Sequence, residues 1–282
     1  MNIEVAEHAG ACYGVNRALR IAGEHVGAAG AVYTLGPLIH NPQVVADLAR
    51  SGILPVEDPD DVDAPATLVI RSHGVSPDVI DRARARGLSV SDATCPHVAR
   101  AQRAAASMRA EGRLCVVVGE AGHPEVEGIV GHAGSDAIVV GGASELPSSL
   151  PRLVGVVVQT TQTHEALDEV VSALSERGCD LRVEDTICLA TKERQDAAAA
   201  LARRVDAMVV VGGRNSGNTR RLRDICRTHC ARTYHVETAD ELRVAWFDGC
   251  DVVGVTAGAS TPPSQIASVQ RRLSELGGKA DA

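Results

Sequence analysis

Three cysteines stand far apart in the chain, and their type and spacing are the first sign of chemistry. Cys12, Cys95 and Cys188 are separated by 95 − 12 = 83 and 188 − 95 = 93 residues. Cys95 is followed by a proline, which predicts a helix N-cap position where the helix dipole favours a thiolate. Three thiolates suit a [4Fe–4S] cluster with one iron open to substrate, or a tetrahedral zinc with one open position. Small buried structural cysteines are the third interpretation.

The three cysteines belong to an internal repeat. LSVSDATC and LRVEDTIC share the frame Leu-x-Val-x-Asp-x-x-Cys, and IEVAEHAGAC is a looser copy with Glu7 in the acidic place. Two polar turns follow each cysteine, and they contain, in chain order, His40 and His73, His123 and Thr160, and Ser216 and Ser260. The first member of each pair lies 28 residues after its cysteine (40 − 12, 123 − 95 and 216 − 188). This order, found three times, indicates three similar units.

The elements that position these residues follow the pattern of a parallel α/β fold, because β-branched runs alternate with Ala- and Arg-rich stretches. The strand candidates are IEVAE, AVYTL, TLVIRS, LSVSD, LCVVVG, AIVVGG, LVGVVVQT, LRVED, AMVVVGG and VVGVTAG. Helical stretches such as PDVIDRARARG end at a glycine that fits the C′ position. We expect three small α/β units with parallel sheets about a pseudo-threefold axis, with the cysteines and polar turns facing a central cavity.

The repeat also predicts boundaries. The first unit spans 14–95, the second 96–185 and the third 186–276, and 277–282 form a tail. The strand before each cysteine would close the sheet of the previous unit. Residues 1–13 are therefore expected to complete the third unit.

Composition excludes several classes of protein. The net charge of −8 and an aromatic content of 2% argue against a nucleic-acid binder, which needs basic surfaces or stacking platforms. No apolar run approaches the roughly 18 residues of a membrane span. The chain starts with Glu4 and Glu7 where a signal peptide needs a basic and then an apolar segment, so we expect a cytoplasmic protein.

A concentrated set of donors in polar turns predicts a site for a small polyanion. The set consists of His40, His73, His123, Ser216, Asn218 and Ser260. Glu125, two residues after His123, is the nearest carboxylate and suits a proton donor in a reductive reaction. GGRNSGNT lacks the G-x-G-x-x-G spacing, so a nicotinamide dinucleotide site is not expected.

The other five cysteines are interpreted as structural. Cys115 lies in the strand candidate LCVVV, and Cys226 and Cys230 are four apart on an Arg-rich helix. Cys179 and Cys250 precede aspartates at the ends of elements.

Nine stretches closely resemble the 4-hydroxy-3-methylbut-2-enyl diphosphate reductase family, which completes the methylerythritol phosphate route to isoprenoids. They run in order over nearly the whole chain: GACYGVNRA, LGPLIHNPQVV, RSHGVSP, DATCPHV, GHPEVEG, QTTQT, DTICLATKERQ, RNSGNTRRL and TAGASTPPSQI. The resemblance implies that Cys12, Cys95 and Cys188 hold one [4Fe–4S] cluster with one open iron. It also implies ferredoxin or flavodoxin as the electron donor.

The resemblance further implies residue roles. The residues expected to bind the substrate diphosphate are His40, His73, Ser216, Asn218 and Ser260, with His123 close by. Glu125 would deliver protons, assisted by Thr160, while the allylic hydroxyl coordinates the open iron and leaves as water. The products would be isopentenyl and dimethylallyl diphosphate. Gly217 departs from the family, where many members carry serine, and its backbone N–H would take the place of the hydroxyl.

Two other functions fit three lone cysteines. A quinolinate-synthase-like dehydratase is also built from three α/β units around a three-cysteine cluster, but its open iron acts as a Lewis acid without net electron transfer. A zinc or cluster sensor is a non-enzymatic alternative, although the chain has no evident DNA-binding signature or effector module. The phosphate-suited histidines favour the reductase.

Overall fold

The computed structural model describes residues 1–27 and 30–277. The described strands form three four-stranded sheets, and every strand pair in them is parallel. The three sheets repeat one order if the first strand of the chain is counted as the fourth strand of its sheet: the first and third strands are then central, and the second and fourth form the edges. The predicted α/β class with three similar parallel sheets is therefore confirmed. The pseudo-threefold axis and the central cavity stay predictions.

One sheet contains β2 (Ala31–Leu35), β3 (Ile53–Val56), β4 (Ala66–Ile70) and β5 (Ser89–Asp92), in the order β3-β2-β4-β5. The helices in this part of the chain are α1 (Tyr13–Glu24), α2 (Pro42–Arg50) and α3 (Pro77–Ala85). Leu68 and Val69 of β4 point to opposite faces and are both fully buried, as expected for a central parallel strand. Gly87 follows α3 with φ +78°, so the predicted C′ glycine is confirmed.

A second sheet contains β6 (Leu114–Val118), β7 (Ile138–Val140), β8 (Leu153–Val158) and β9 (Asp180–Glu184), in the order β7-β6-β8-β9. Its helices are α4 (Pro96–Ala110), α5 (Pro124–Ala133) and α6 (His164–Glu176). Alternate residues of β6 enter different cores: Cys115 and Val117 pack with α4 and α5, whereas Val116 packs with α6. Burial raises the pKa of Cys115 to about 12, in agreement with a structural role.

The remaining sheet contains β1 (Asn2–Val5), β10 (Ala207–Val211), β11 (Thr233–Val236) and β12 (Val252–Ala257), in the order β1-β12-β10-β11. Its helices are α7 (Leu189–Ala202), α8 (Gly217–His229) and α9 (Pro263–Gly277). β1 pairs with β12, so the first strand of the chain forms the edge of the last sheet. Cys226 is fully buried in α8, and burial raises the pKa of its thiol to about 12.

Contacts divide the chain into two compact units. Unit 1 comprises Met1–Val15, His40–Gln43 and the chain from Leu189 to the last described residue. Unit 2 comprises Asn16–Ile39 and Val44–Cys188, and it contains the sheets of β2–β5 and β6–β9. The predicted boundaries of three units stay predictions. Most of the predicted tail, 278–282, lies outside the described residues.

No helix within residues 1–27 and 30–277 has the length and apolar character needed to cross a membrane.

Within unit 2, α5 packs closely on the turn that follows β4. A Cβ atom at Gly131 would lie 2.2 Å from the Cβ of Ser76, and one at Gly128 would lie 3.5 Å from Val75 N. Glycine therefore permits an approach that any larger residue would block. The approach places the turn containing His73 beside the first turn of α5.

Gly131→Ala should destabilise the protein, although alanine is the better helix former. Overlap with Ser76 lowers the free energy of unfolding by about 1–3 kcal/mol. The higher helix propensity of alanine raises it by only about 1 kcal/mol. Urea denaturation measures the free energy of unfolding. Gly23→Ala in α1 is the matched control, since a Cβ there meets no described atom within 4 Å. Equal responses of the two variants would contradict this packing.

Candidate active site

The three predicted ligand cysteines each make the same kind of backbone hydrogen bond. In each case the cysteine N–H donates to a carbonyl in the polar turn after the third strand of a sheet. The pairs are Cys95 with Ser72 at 2.9 Å, Cys188 with Thr160 at 3.0 Å and Cys12 with Ala259 at 3.2 Å. Each bond lies within a single unit. The repeat inferred from sequence therefore corresponds to a repeated local structure.

The acidic residue of the repeat frame fixes the backbone that leads to the cysteine. The Asp92 carboxylate accepts from Thr94 N at 2.8 Å, and the Asp185 carboxylate accepts from Ile187 N at 3.0 Å. These hydrogen bonds from the aspartate side chain fix the backbone between the strand and the cysteine. The looser first copy turns instead through two residues with positive φ, His8 at 59° and Gly10 at 99°.

The setting of the cysteines fits thiolate ligands. Cys12, Cys95 and Cys188 are half-buried, as is Cys179, whereas Cys115, Cys226, Cys230 and Cys250 are buried. Cys95 is the N-cap residue of α4 and Pro96 opens the helix, which confirms the predicted N-cap. The kind and number of these residues suit a cluster held by three thiolates. No three His, Cys, Asp or Glu side chains within 1–27 and 30–277 form a group that could hold a metal ion. The three-cysteine site stays a prediction.

Unit 2 holds a buried carboxylate that accepts two hydrogen bonds from one residue. Glu125, in the first turn of α5, is only 2% exposed. Its Oε1 accepts from Thr160 N at 2.6 Å and its Oε2 accepts from Thr160 Oγ1 at 2.9 Å. The same threonine provides the carbonyl that holds Cys188. The structure thus brings together both predicted catalytic residues and one predicted cluster ligand.

Two predicted histidines lie at the start of α5, the helix that contains Glu125. His123 caps α5, and its Nδ1 accepts from Glu125 N at 3.1 Å. A neutral His123 therefore carries its proton on Nε2, which leaves Nε2–H as a donor. The rings of His73 and His123 are 5.6 Å apart between centroids and nearly perpendicular. The two imidazoles therefore lie close enough to each other to contact one small anion within unit 2.

A positive charge stands beside the His73 turn. Arg71 follows β4 directly and lines a cavity of about 160 Å³ with Glu57 and Glu127. Burial lowers the pKa of Arg71, while these two carboxylates oppose that change. The pKa of an arginine is ordinarily so high that the Arg71 guanidinium remains charged despite this lowering.

Unit 1 presents neutral donors at the start of α8. Ser216 is the N-cap residue, and its Oγ accepts from Thr219 N at 3.3 Å. Gly217 follows as the first helical residue, so its N–H is one of the unpaired donors of a helix start. Asn218 is 4% exposed, and within the described part of the chain both polar atoms of its amide are buried without a hydrogen-bond partner. A buried amide without hydrogen bonds lowers the stability of the fold unless a ligand supplies the missing partners.

A residue that sequence reasoning missed joins two predicted anion-binding residues. Asn41 is buried, and its Nδ2 donates to Ser260 O and to Gln265 Oε1, each at 2.8 Å. Its Oδ1 accepts from Gln43 N at 3.1 Å. Asn41 thereby holds the segment containing His40 against the Ser260 turn. The available signal was Asn-Pro at a helix start, which is typical of an N-cap.

The His40 segment also fits closely against the loop after β10. A Cβ atom at Gly213 would lie 2.5 Å from His40 O, and one at Gly258 would lie 3.7 Å from Asn218 Nδ2. Within unit 1, the structure therefore brings His40, Asn218 and Ser260 into one neighbourhood.

Known proteins resemble this chain over nearly its whole length. The family model described as LytB protein matches residues 3–274. The chain belongs to the LytB family. It is 49% identical to the 4-hydroxy-3-methylbut-2-enyl diphosphate reductase of Geobacter sp. (strain M21), over 98% of each chain. It is 48% identical to the Pelobacter propionicus (strain DSM 2379 / NBRC 103807 / OttBd1) protein of the same name, over 99% of this chain and 100% of that one.

Solved structures extend the comparison for this LytB-family chain. A structure of (E)-4-hydroxy-3-methyl-but-2-enyl diphosphate reductase is 43% identical, with a TM-score of 0.72, and the match covers 98% of this chain and 100% of that chain. The corresponding structure from Plasmodium falciparum is 24% identical, with a TM-score of 0.90, and the match covers 97% and 88%. At that identity the second likeness shows the fold alone.

The hydrogen bonds between Thr160 and Glu125 predict energetic coupling in this LytB-family chain. A bond to a buried carboxylate contributes roughly 1.5–3 kcal/mol, so Thr160→Val and Glu125→Gln should couple by about 1–2 kcal/mol in a double-mutant cycle. Urea unfolding of the four proteins gives the coupling free energy. Thr186→Val is the control, because Thr186 Oγ1 is buried in the same sheet but bonds to the backbone of Val158. Additive effects of Thr160→Val and Glu125→Gln would contradict the pairing.

Proposed function

We propose that this chain reduces (E)-4-hydroxy-3-methylbut-2-enyl diphosphate to isopentenyl and dimethylallyl diphosphate. The reaction consumes two electrons and two protons, breaks the allylic C–O bond and releases water. The observation that carries the proposal is the buried pair of Glu125 and Thr160 beside His123. The relatives named as this reductase support the substrate class.

The diphosphate is proposed to bind the imidazoles and the neutral donors. The residues proposed to supply these donors are His40, His73, His123, Ser216 and Ser260. The buried amide of Asn218 needs partners, and diphosphate oxygens are suitable acceptors for its NH₂ group. Gly217 offers its backbone N–H at the positive end of α8, where an anion is stabilised.

Glu125 is proposed to deliver the protons. The carboxylate is held at both oxygens by Thr160 and is shielded from solvent, so it can be aimed at one position. A positioned acid of this kind accelerates proton transfer by typically about 10²–10⁴-fold. Thr160 orients the carboxylate, and its hydroxyl is proposed to assist at the substrate hydroxyl.

Cys12, Cys95 and Cys188 are proposed to hold one [4Fe–4S] cluster. When bound, the cluster would supply electrons to the substrate through the one iron that has no cysteine ligand. The half-buried cysteines, each tied by its N–H to a polar turn, support this assignment. Ferredoxin or flavodoxin as electron donor and the cytoplasm as location belong to the same proposal.

The decisive experiment is an anaerobic purification and assay. We expect a brown protein with about four irons per chain. With a low-potential electron donor it should convert the hydroxylated diphosphate into the two products, identified by mass spectrometry. A colourless preparation that contains only zinc would overturn the cluster.

The same assay separates the alternatives. A dehydratase would turn over without an added electron donor, and a sensor would not turn over at all. Dependence of product formation on the donor therefore distinguishes the reductase from both.

Glu125→Gln tests the proposed proton donor. The amide keeps the shape of the side chain but has no acidic proton, so kcat should fall by at least about 100-fold. The iron content should not change, because residue 125 is not among the proposed ligands. Glu127→Gln is the matched control, since Glu127 is exposed in the same turn of α5. If both variants keep the parent rate, Glu125 is not the acid.

A further inference from the structure

Three arginines occupy equivalent places in the helices that follow the three cysteines. Each lies in the second turn of its helix and donates to a backbone carbonyl in the loop leading to a different cysteine. The bonds are Arg17 Nη1 to Thr94 O at 3.0 Å, Arg100 Nη2 to Asp185 O at 3.1 Å and Arg194 Nη2 to Gly10 O at 2.9 Å. Each bond lies within one unit of the chain.

The order of these bonds is cyclic. The arginine after Cys12 holds the loop of Cys95, the arginine after Cys95 holds the loop of Cys188, and the arginine after Cys188 holds the loop of Cys12. The donor lies five residues after Cys12 and Cys95 and six residues after Cys188, and each acceptor is a backbone carbonyl one to three residues before the cysteine whose loop is held. The arginine therefore belongs to the repeated unit, as the cysteine does.

The bond at Cys95 shows what the arginine does locally. The carbonyl of Thr94 and the N–H of Cys95 belong to one peptide group. Arg17 holds the carbonyl at 3.0 Å, while Ser72 O accepts from the N–H at 2.9 Å. A peptide fixed at both ends cannot rotate, so the direction in which the cysteine leaves the backbone is fixed as well.

The loop of Cys12 is held in the same way over a slightly longer stretch. Gly10 N donates to Ala257 O at 3.2 Å, Gly10 O accepts from Arg194, and Cys12 N donates to Ala259 O at 3.2 Å. Arg194 is only 3% exposed, and its other terminal nitrogen donates to Ala190 O in its own helix at 2.9 Å.

We propose that Arg17, Arg100 and Arg194 are positioning residues for the three thiolates. Each fixes the backbone next to one cysteine and places a permanent positive charge in its loop. This inference rests on the proposed cluster, because it assigns the arginines to retention and charge balance of that group. The effects should follow burial: Arg194 is buried, Arg17 is half-buried and Arg100 is exposed.

The experiment compares Arg→Met variants at the three positions. Methionine keeps an unbranched apolar stem but has no donor and no charge. In anaerobic protein, we measure iron per chain, the rate at which a chelator bleaches the visible absorbance, and the reduction potential of the cluster. Partners behind metal ligands typically affect metal affinity by about 10–100-fold. We expect bleaching to be roughly tenfold or more faster in Arg194→Met, intermediate in Arg17→Met and within about twofold of the parent in Arg100→Met.

A purely structural role would not change the potential in a charge-dependent way. Loss of a nearby positive charge makes the addition of an electron less favourable, so the potential should fall in Arg194→Met. Arg194→Lys, which keeps the charge and one donor, should recover most of the shift. The controls are Arg20→Gln, Arg103→Gln and Lys192→Gln, exposed positions on the same three helices.

The outcomes are distinguishable. If the parent protein holds no iron, the proposed cluster fails. If the parent holds the cluster but Arg194→Met and Arg17→Met match their controls in bleaching rate and potential, only the role of the arginines fails. Fluorescence of the single tryptophan and circular dichroism check folding. If Arg194→Met does not fold, Arg17→Met decides.

Discussion

The backbone hydrogen bond from each predicted ligand cysteine to the turn beyond the adjacent strand is the constraint on which the candidate site depends. It joins the segment after the carboxyl end of an edge strand to the segment after the carboxyl end of the neighbouring central strand. A cysteine and a polar turn are therefore neighbours in all three copies. Parallel pairing makes this possible, because the carboxyl ends of parallel strands lie at one edge of the sheet. Thr160 contacts both groups: its carbonyl accepts from Cys188 N–H, and its own N–H and hydroxyl donate to the Glu125 carboxylate.

Packing then decides how closely the polar turns approach one another. Strands such as β6 send alternate side chains into two different cores, which fixes their twist and register. In unit 2, Gly128 and Gly131 remove the side chains that would separate α5 from the turn after β4. The result is the edge-to-face contact of His73 with His123. Histidines from two different sheets thus face the same space beside the buried carboxylate.

Much of the fold could be predicted from local sequence. Near-continuous apolar runs marked the central strands, the proline after Cys95 marked an N-cap, and glycines marked helix ends. The edge strands β3 and β11 are absent from the predicted strands, because β3 contains Pro55 and β11 has only four residues, of which Tyr234 and His235 are half-buried. The spacing of 28 residues after each cysteine does not reach the same structural position in all three copies. It reaches the N-cap residues His123 and Ser216, but it reaches His40 one residue before Asn41.

The sequence by itself determined the repeat, the α/β class and the residue types with chemical potential, because strand periodicity, turn chemistry and cysteine spacing are local properties. Only the tertiary structure decided which groups meet. That Glu125 bonds to Thr160, that Asn41 joins the His40 segment to Ser260, and that Arg194 reaches Gly10 O are contacts across 35, 219 and 184 residues of chain. No local pattern encodes such distances. They arise because parallel strands bring remote loops to one edge, where buried polar groups must find partners.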